Sequence, residues 1–261
     1  MHAYILENDN EVSRLEKQNS LKNYCVSEEL KDINISSDMH ILDAGCGTGV
    51  ITRHVLKNFN PKEVTAVDFS QTRLAQAKKF ISTSSTTSTV NFKQLDMMSE
   101  KLEEEQFDLI ISRFVMHHLT VPQKAISMLS RALKHGGRLC VIDSDGIMFN
   151  MHSKDLWLQK ALDKINSSLE IDMFVGRKLK MFMDQSNLTN LESRIIPMHF
   201  TGYDLQQEKI QYEERFFALG GLLESILGKD SVKFVERYLA AFDEPSTELF
   251  YNKFVTQGTR K

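Results

Sequence analysis

The chain has 261 residues, 41% hydrophobic and 26% charged, which sets aside disordered and collagen-like classes and supplies a core of ordinary size. Its formal net charge of -3 comes from 32 basic and 35 acidic side chains without long single-sign blocks, so it carries no electrostatic footprint for nucleic acid or anionic membrane. Cys25, Cys46 and Cys140 have neither metal-ligand nor disulfide spacing, and with no leader and no run of about 18 apolar residues this predicts a cytoplasmic, metal-free protein with reduced thiols.

Glu7 to Tyr24 reads as a polar helix with few apolar positions (Val12, Leu15 and Leu21), too weak a stripe to stand alone and therefore expected to dock. Met39 to Ala44 is a short apolar strand, Val50 to Asn58 a helix, and Glu63 to Asp68 a second strand after the Pro61 turn. A helix over Ser70 to Phe80 has Ser70 as its N-cap. The polar run Ser82 to Thr89 is a solvated loop before a third strand, Val90 to Leu95. Phe107 to Ser112 is the continuous apolar strand of a sheet covered on both faces; an amphipathic helix over Val121 to Leu133 and a fifth strand, Gly137 to Asp143, follow. This alternation is that of parallel strands joined by crossover helices.

Beyond residue 150 come helices over Lys154 to Ser168 and Arg177 to Asn187, then an extended segment from Leu188 to Phe200. A helical pair, Leu205 to Leu227 and Asp230 to Phe242, precedes a last strand in TELFYNKFVTQG. Gly220-Gly221 reads as a break or hinge in the first of that pair.

The segment ILDAGCGTG, residues 41 to 49, ends a strand in Asp43 and continues through Gly45, Gly47 and Gly49 into a helix. Glycines at such a turn admit sharp backbone and let a ligand approach bare main chain. The dinucleotide fingerprint G-x-G-x-x-G, started at Gly45, requires glycine at position 50, which is Val50. The pattern is instead Asp-x-Gly-x-Gly-x-Gly, and here the chain resembles class I S-adenosylmethionine-dependent methyltransferases of the bacterial small-molecule type.

The resemblance runs through residues 39 to 143. It implies S-adenosylmethionine as cofactor, S-adenosylhomocysteine as product, and a role for each matching residue. Asp68 would accept from both ribose hydroxyls, a role suited to an acceptor-only carboxylate. Asp96 would accept from the adenine amino group or, alternatively, form an Asx turn, and Phe69 and Met97 would pack on the ring or belong to the core. Ser112 and Arg113 match the segment whose backbone meets the methionine end.

Methyl transfer is an in-line displacement that needs positioning in a dry pocket and no protein nucleophile. A hydroxyl or amine acceptor benefits from a base, and His117 and His118 follow the fourth strand where the family's acceptor lies; the alternative for each is packing at a loop-to-helix junction. Tyr4, Arg14 and Gln18 resemble parts of an N-terminal lid, or else belong to an edge helix. Arg177 in VGRKL resembles a residue near the acceptor pocket, or it is a solvated helix start. Phe216 and Phe217 are candidate lining residues of an apolar acceptor cavity, the alternative being helix-helix core.

The expectation is an α/β, Rossmann-like seven-stranded mixed sheet, last strand antiparallel, with helices on both faces and a helical cap. Residues 1–30 would be the lid, 31–150 the cofactor-binding core, and 151–261 the rest of the sheet with a helical insertion at about 203–243. The function is methyl transfer to oxygen or nitrogen of a small metabolite, with no nucleic-acid or membrane partner and a homodimer left open. The alternative is a binder of S-adenosylmethionine that transfers no methyl group, which cofactor motifs do not distinguish.

Overall fold

A computed structural model describes residues 18, 22–82, 86–149, 151 and 153–261. After a short helix α1 (Val26–Glu29), β1 (His40–Ala44), α2 (Val50–Phe59), β2 (Glu63–Asp68), α3 (Gln71–Ile81) and β3 (Thr89–Gln94) follow in turn. Then come β4 (Phe107–Arg113), α4 (Pro122–Ala132) and β5 (Leu133–Asp145). The second part is α5 (Leu156–Ser168), α6 (Leu179–Asp184), β6 (Leu188–Phe200), α7 (Gly202–Leu227), α8 (Ser231–Ala241) and β7 (Leu249–Arg260).

The strands form one seven-stranded sheet in the order β3-β2-β1-β4-β5-β7-β6. β1 to β5 pair in parallel, and β7 runs antiparallel to both β5 and β6. This is the expected mixed sheet with its last strand antiparallel. The order reverses between β1 and β4, so the crevice at their carboxyl ends is where such a sheet binds ligands.

Side chains alternate across the central strands. Leu42, Ile110, Leu139 and Val141 pack with α4 and α6 on one face, and Ile41, Leu109, Ile111, Cys140 and Ile142 pack with α1 and α2 on the other. Two buried faces are why FDLIIS is apolar at successive positions. Most predicted bounds hold to within three residues, but β5 starts at Leu133, four residues before the predicted Gly137, and Ser70 caps α3 by accepting from the Arg73 N–H. Arg177 to Asn187 is shorter than expected, a 3-10 turn over Gly176–Lys178 followed by the six-residue α6.

The cap is α5, α7 and α8, joined by an aromatic cluster in which the Phe216 and Tyr238 rings lie 5.0 Å apart, edge to face. Gly220-Gly221 does not break α7, which continues for 26 residues to Leu227. A Cβ at either glycine meets no atom within 4 Å, so the positions carry only the entropic cost of glycine inside a helix. Gly220→Ala and Gly221→Ala are therefore each expected to raise unfolding stability by about 1 kcal/mol in urea titration; a loss of stability would restore the hinge.

The expected lid helix, with Tyr4 and Arg14, lies outside the described residues apart from Gln18 and the 3-10 turn Lys22–Tyr24. No helix among the described residues is long and apolar enough to cross a membrane.

Candidate functional site

A cavity of about 650 Å³ lies over the carboxyl ends of β1, β2 and β4 and reaches under the cap. Its size falls within the range of roughly 300 to 1,000 Å³ usual for small-molecule sites. One end is lined by Asp43, the loop Gly45 to Thr48, Asp68, Phe69, Asp96 and Met97. Gln18, Arg113, His117 and His118 also line it.

The glycine loop is shaped by its neighbours. The N–H groups of Gly45 and Cys46 both donate to the Val67 carbonyl, at 2.8 and 2.9 Å, folding the loop back over β2. At Gly45 φ is +78°, and a Cβ would stand 2.4 Å from Val115 in the loop after β4, so only glycine fits. At Gly47 φ is +52° and a Cβ would meet nothing within 4 Å. That position borders open cavity, and bare backbone there leaves room for a ligand. Gly49 acts away from the cavity, which it does not line, and its missing Cβ admits Ala77 and Ile81 of α3 at 3.1 to 3.2 Å.

Asp68 ties the loop to the second strand tip. Its Oδ2 accepts from the Gly47 N–H at 2.8 Å and its Oδ1 from the Ser70 N–H at 2.9 Å. Asp96 does form the Asx turn, accepting from the Met98 N–H at 2.8 Å and the Ser99 hydroxyl at 2.7 Å, while it also lines the cavity. Phe69 is 38% exposed and Met97 is buried, and both line the same end.

Asp43 is buried and accepts from the N–H and hydroxyl of Thr52 at 3.0 and 2.6 Å. Burial outweighs those bonds and pushes its carboxyl up to about 6. The folded-state value is raised, so wild type is favoured below the unfolded value near 3.8 and loses that contribution as pH rises to about 6. Asp43→Asn, which never ionises, should therefore gain stability relative to wild type across this window, by about 3 kcal/mol at most. Urea titrations from pH 4 to 8 check this, and a constant difference would contradict it.

At the far side of the glycine loop, His117 and Asp143 form a buried pair with Nδ1 and Oδ1 2.6 Å apart. Asp143 is fixed in turn, its Oδ2 accepting from the Met116 N–H at 2.8 Å and its Oδ1 from the Ser144 N–H at 2.7 Å. A carboxylate only accepts, so Nδ1 carries the proton and Nε2 is the nitrogen left with a lone pair. His118 packs against this imidazole with ring centroids 3.9 Å apart. Phe114, at φ +55°, and Met148, at φ +63°, line the same cavity in left-handed backbone, a strain that collects at ligand sites.

Three expected substrate residues are corrected. Arg177 does not line the cavity; its Nε and Nη2 close on Asp145 at 2.7 to 2.9 Å and its side chain is 61% exposed. Gly176 packs so close to Ser144 that a Cβ would lie 2.9 Å from its carbonyl, which leaves Arg177 at the end of β5. Phe216 is buried in the cap's aromatic cluster and Phe217 is 76% exposed. With about 100° between successive helix residues, the face of α7 that meets the cavity is Arg215, Leu219, Leu222 and Ile226. Ser112 likewise stays off the cavity, its hydroxyl donating to the Ala44 carbonyl at 3.0 Å.

Acidic strand tips beside a glycine loop open to a cavity fit an adenosyl sulfonium, whose ribose donates hydrogen bonds and whose sulfur is cationic. A family model described as a methyltransferase domain matches residues 35–191, more than half of the chain. The chain belongs to the class I S-adenosylmethionine-dependent methyltransferases. The cofactor of this family is S-adenosylmethionine. A malonyl-[acyl-carrier protein] O-methyltransferase of Halalkalibacterium halodurans is 28% identical over 165 residues, 62% of this chain and 60% of that relative. The chain thus spans less than two thirds of that curated relative. Among solved structures, the YcgJ protein of Bacillus subtilis superposes with a TM-score of 0.60 at 16% identity, covering 90% of this chain and 97% of that one. Phosphoethanolamine N-methyltransferase 2 of Haemonchus contortus, in complex with phosphomonomethylethanolamine and S-adenosylhomocysteine, gives 0.62 at 16% identity over 97% of this chain and 57% of its own. These likenesses are of fold.

Asp143 and Arg215 were not singled out by sequence reasoning. Asp143 lies near the carboxyl end of the fifth strand, next in the sheet to the strand that leads into His117, and that adjacency was the available signal. Arg215 stands four and seven residues before Leu219 and Leu222 on the same helix, and that helical spacing was the available signal.

Proposed function

We propose that this methyltransferase moves the methyl group to oxygen or nitrogen of a small, partly apolar molecule. The observation that carries the reading is that one cavity is lined both by the glycine loop with its acidic strand tips and by His117, whose Nδ1 is held from behind by the buried Asp143.

In this assignment the Gly45 to Gly49 turn, Asp43, Asp68, Phe69, Asp96, Met97, Ser112, Arg113 and Gln18 form the cofactor seat, Gly49 and Ser112 by shaping its backbone. When bound, the cofactor supplies an electrophilic methyl on a cationic sulfur. Asp68, an acceptor-only carboxylate at the tip of β2 that lines the cavity, accepts from the ribose hydroxyls. His117 Nε2 takes the proton from the acceptor hydroxyl or amine, and Asp143 holds the imidazole in that tautomer and stabilises the imidazolium. His118 packs the pair and does not itself take the proton. The apolar walls exclude water, which would otherwise compete for the hydrogen bonds.

Incubation of the protein with methyl-labelled S-adenosylmethionine and a fraction of metabolites below about 1 kDa tests this reading; the cut-off reflects a cavity built for small molecules. Labelled product and release of S-adenosylhomocysteine are expected. Tight cofactor binding with no label transferred to any fraction would favour the non-transferring alternative.

A further inference from the structure

The acceptor end of the cavity is walled by Phe114, Phe149, Leu169, Ile171, Leu219 and Ile226. In this apolar wall stands a cation, Arg215, only 3% exposed. Its Nη1 donates to Glu208 Oε1 at 3.0 Å, the Tyr24 hydroxyl is also hydrogen-bonded to it, and its guanidinium carbon lies 4.9 Å from the centre of the Tyr212 ring. The same oxygen accepts from the Tyr24 hydroxyl at 3.0 Å. Glu208 does not line the cavity. The carboxylate therefore sits behind the wall while the guanidinium belongs to the wall itself, and Glu208 and Tyr24 do not take up all five of its N–H donors. A buried ion pair stabilises a fold no better than apolar residues of the same volume, so stability gives no account of a cation here.

The cavity is graded along its length. Arg215 is buried, whereas Ser168, Glu170 and Ser225, which also line it, are more open to solvent and mark its mouth. Leu169, Ile171 and Ile226 adjoin those mouth residues in sequence, and Leu222 lies one helical turn before Ser225. A ligand that enters there places its polar head inward and its apolar body behind it.

Building on the methyltransferase reading, we propose that Arg215 is the acceptor-recognition residue and that the acceptor is an apolar molecule with an oxyanion head of the carboxylate type. The planar fork of a guanidinium matches two oxygens of such a head at once, and in a water-poor pocket that match discriminates strongly against a neutral analogue. Glu208 anchors the guanidinium from behind through Nη1.

The test uses the full chain saturated with S-adenosylhomocysteine and two fluorescent probes that share one apolar body. These are 8-anilinonaphthalene-1-sulfonate, an oxyanion, and neutral N-phenyl-1-naphthylamine. Wild type should bind one sulfonate probe per chain, about tenfold or more tighter than the neutral probe. The double variant Arg215→Met with Glu208→Gln leaves no unpaired buried charge. It should lose about 10- to 100-fold in affinity for the sulfonate probe and change by less than about threefold for the neutral one. If that variant does not fold, Arg215→Lys carries the test, because an ammonium keeps the charge and loses the fork, so a selective loss for the sulfonate is still expected. Equal affinities for the two probes in wild type, or parallel losses in the variants, overturn the proposal. Calorimetry with S-adenosylhomocysteine alone separates the two readings: no heat defeats the methyltransferase assignment, whereas normal heat without probe discrimination defeats only the acceptor class.

Discussion

Asp68→Asn is expected to weaken S-adenosylhomocysteine binding by about 3 kcal/mol, roughly 100-fold. Under the proposed assignment two ribose hydroxyls donate to a charged carboxylate, and the amide has one acceptor oxygen in place of two and no charge. The same substitution disturbs the protein's own bonds, because Asp68 also accepts from the Gly47 and Ser70 N–H groups. An amide nitrogen facing either donor would push the glycine loop away from the strand tip. The fall should therefore be larger than loss of one surface contact, which is worth about 1 kcal/mol or less. Isothermal titration of wild type and variant checks it. A change under about threefold would mean that Asp68 serves the loop alone.

The second large effect concerns turnover. His117→Gln is expected to lower kcat by about 10² to 10⁴-fold on the acceptor that the labelling experiment yields, with S-adenosylhomocysteine affinity changed by less than about threefold. Asp143→Asn should cost nearly as much. An asparagine can turn its amide toward Nδ1 and leave the proton on Nε2, the wrong nitrogen for a base. Asp143 acts through His117 and is a positioning residue, so its pH profile is informative. The limb of kcat/KM that depends on the imidazole in wild type should be lost or displaced in Asp143→Asn. A purely structural role would lower activity at all pH values and leave that limb where it was. An Asp143→Asn enzyme with wild-type kcat would remove the base from the mechanism.

Much of the sheet was legible because its strands obey simple rules. Continuous apolar runs between turn residues locate β1, β2 and β4, and one hydroxyl before a helix locates Ser70 as a cap. The glycine loop was legible for a related reason, since positive φ at Gly45, Gly47 and Gly49 admits few other residues. The acceptor side was not. Which of Arg215, Phe216 and Phe217 faces the cavity depends on the rotation of α7 about its own axis, and its weakly amphipathic sequence carries aromatic residues on more than one side. Arg177 was misplaced because its partner, Asp145, comes from a strand end 32 positions earlier. The His117–Asp143 pair spans 26 positions and exists only because β4 and β5 are neighbours. Gly220-Gly221 misled in the opposite direction: glycine lowers helix propensity, yet packing of the cap's aromatic cluster holds α7 through it.

A crystal structure of the full chain with S-adenosylhomocysteine tests the central claim most directly. The ribose hydroxyls are expected on Asp68, the adenine ring between Phe69 and Met97 with its amino group toward Asp96, and the sulfur turned toward His117. An adenosine bound away from the glycine loop, or a sulfur facing away from His117 and the cap, would contradict it.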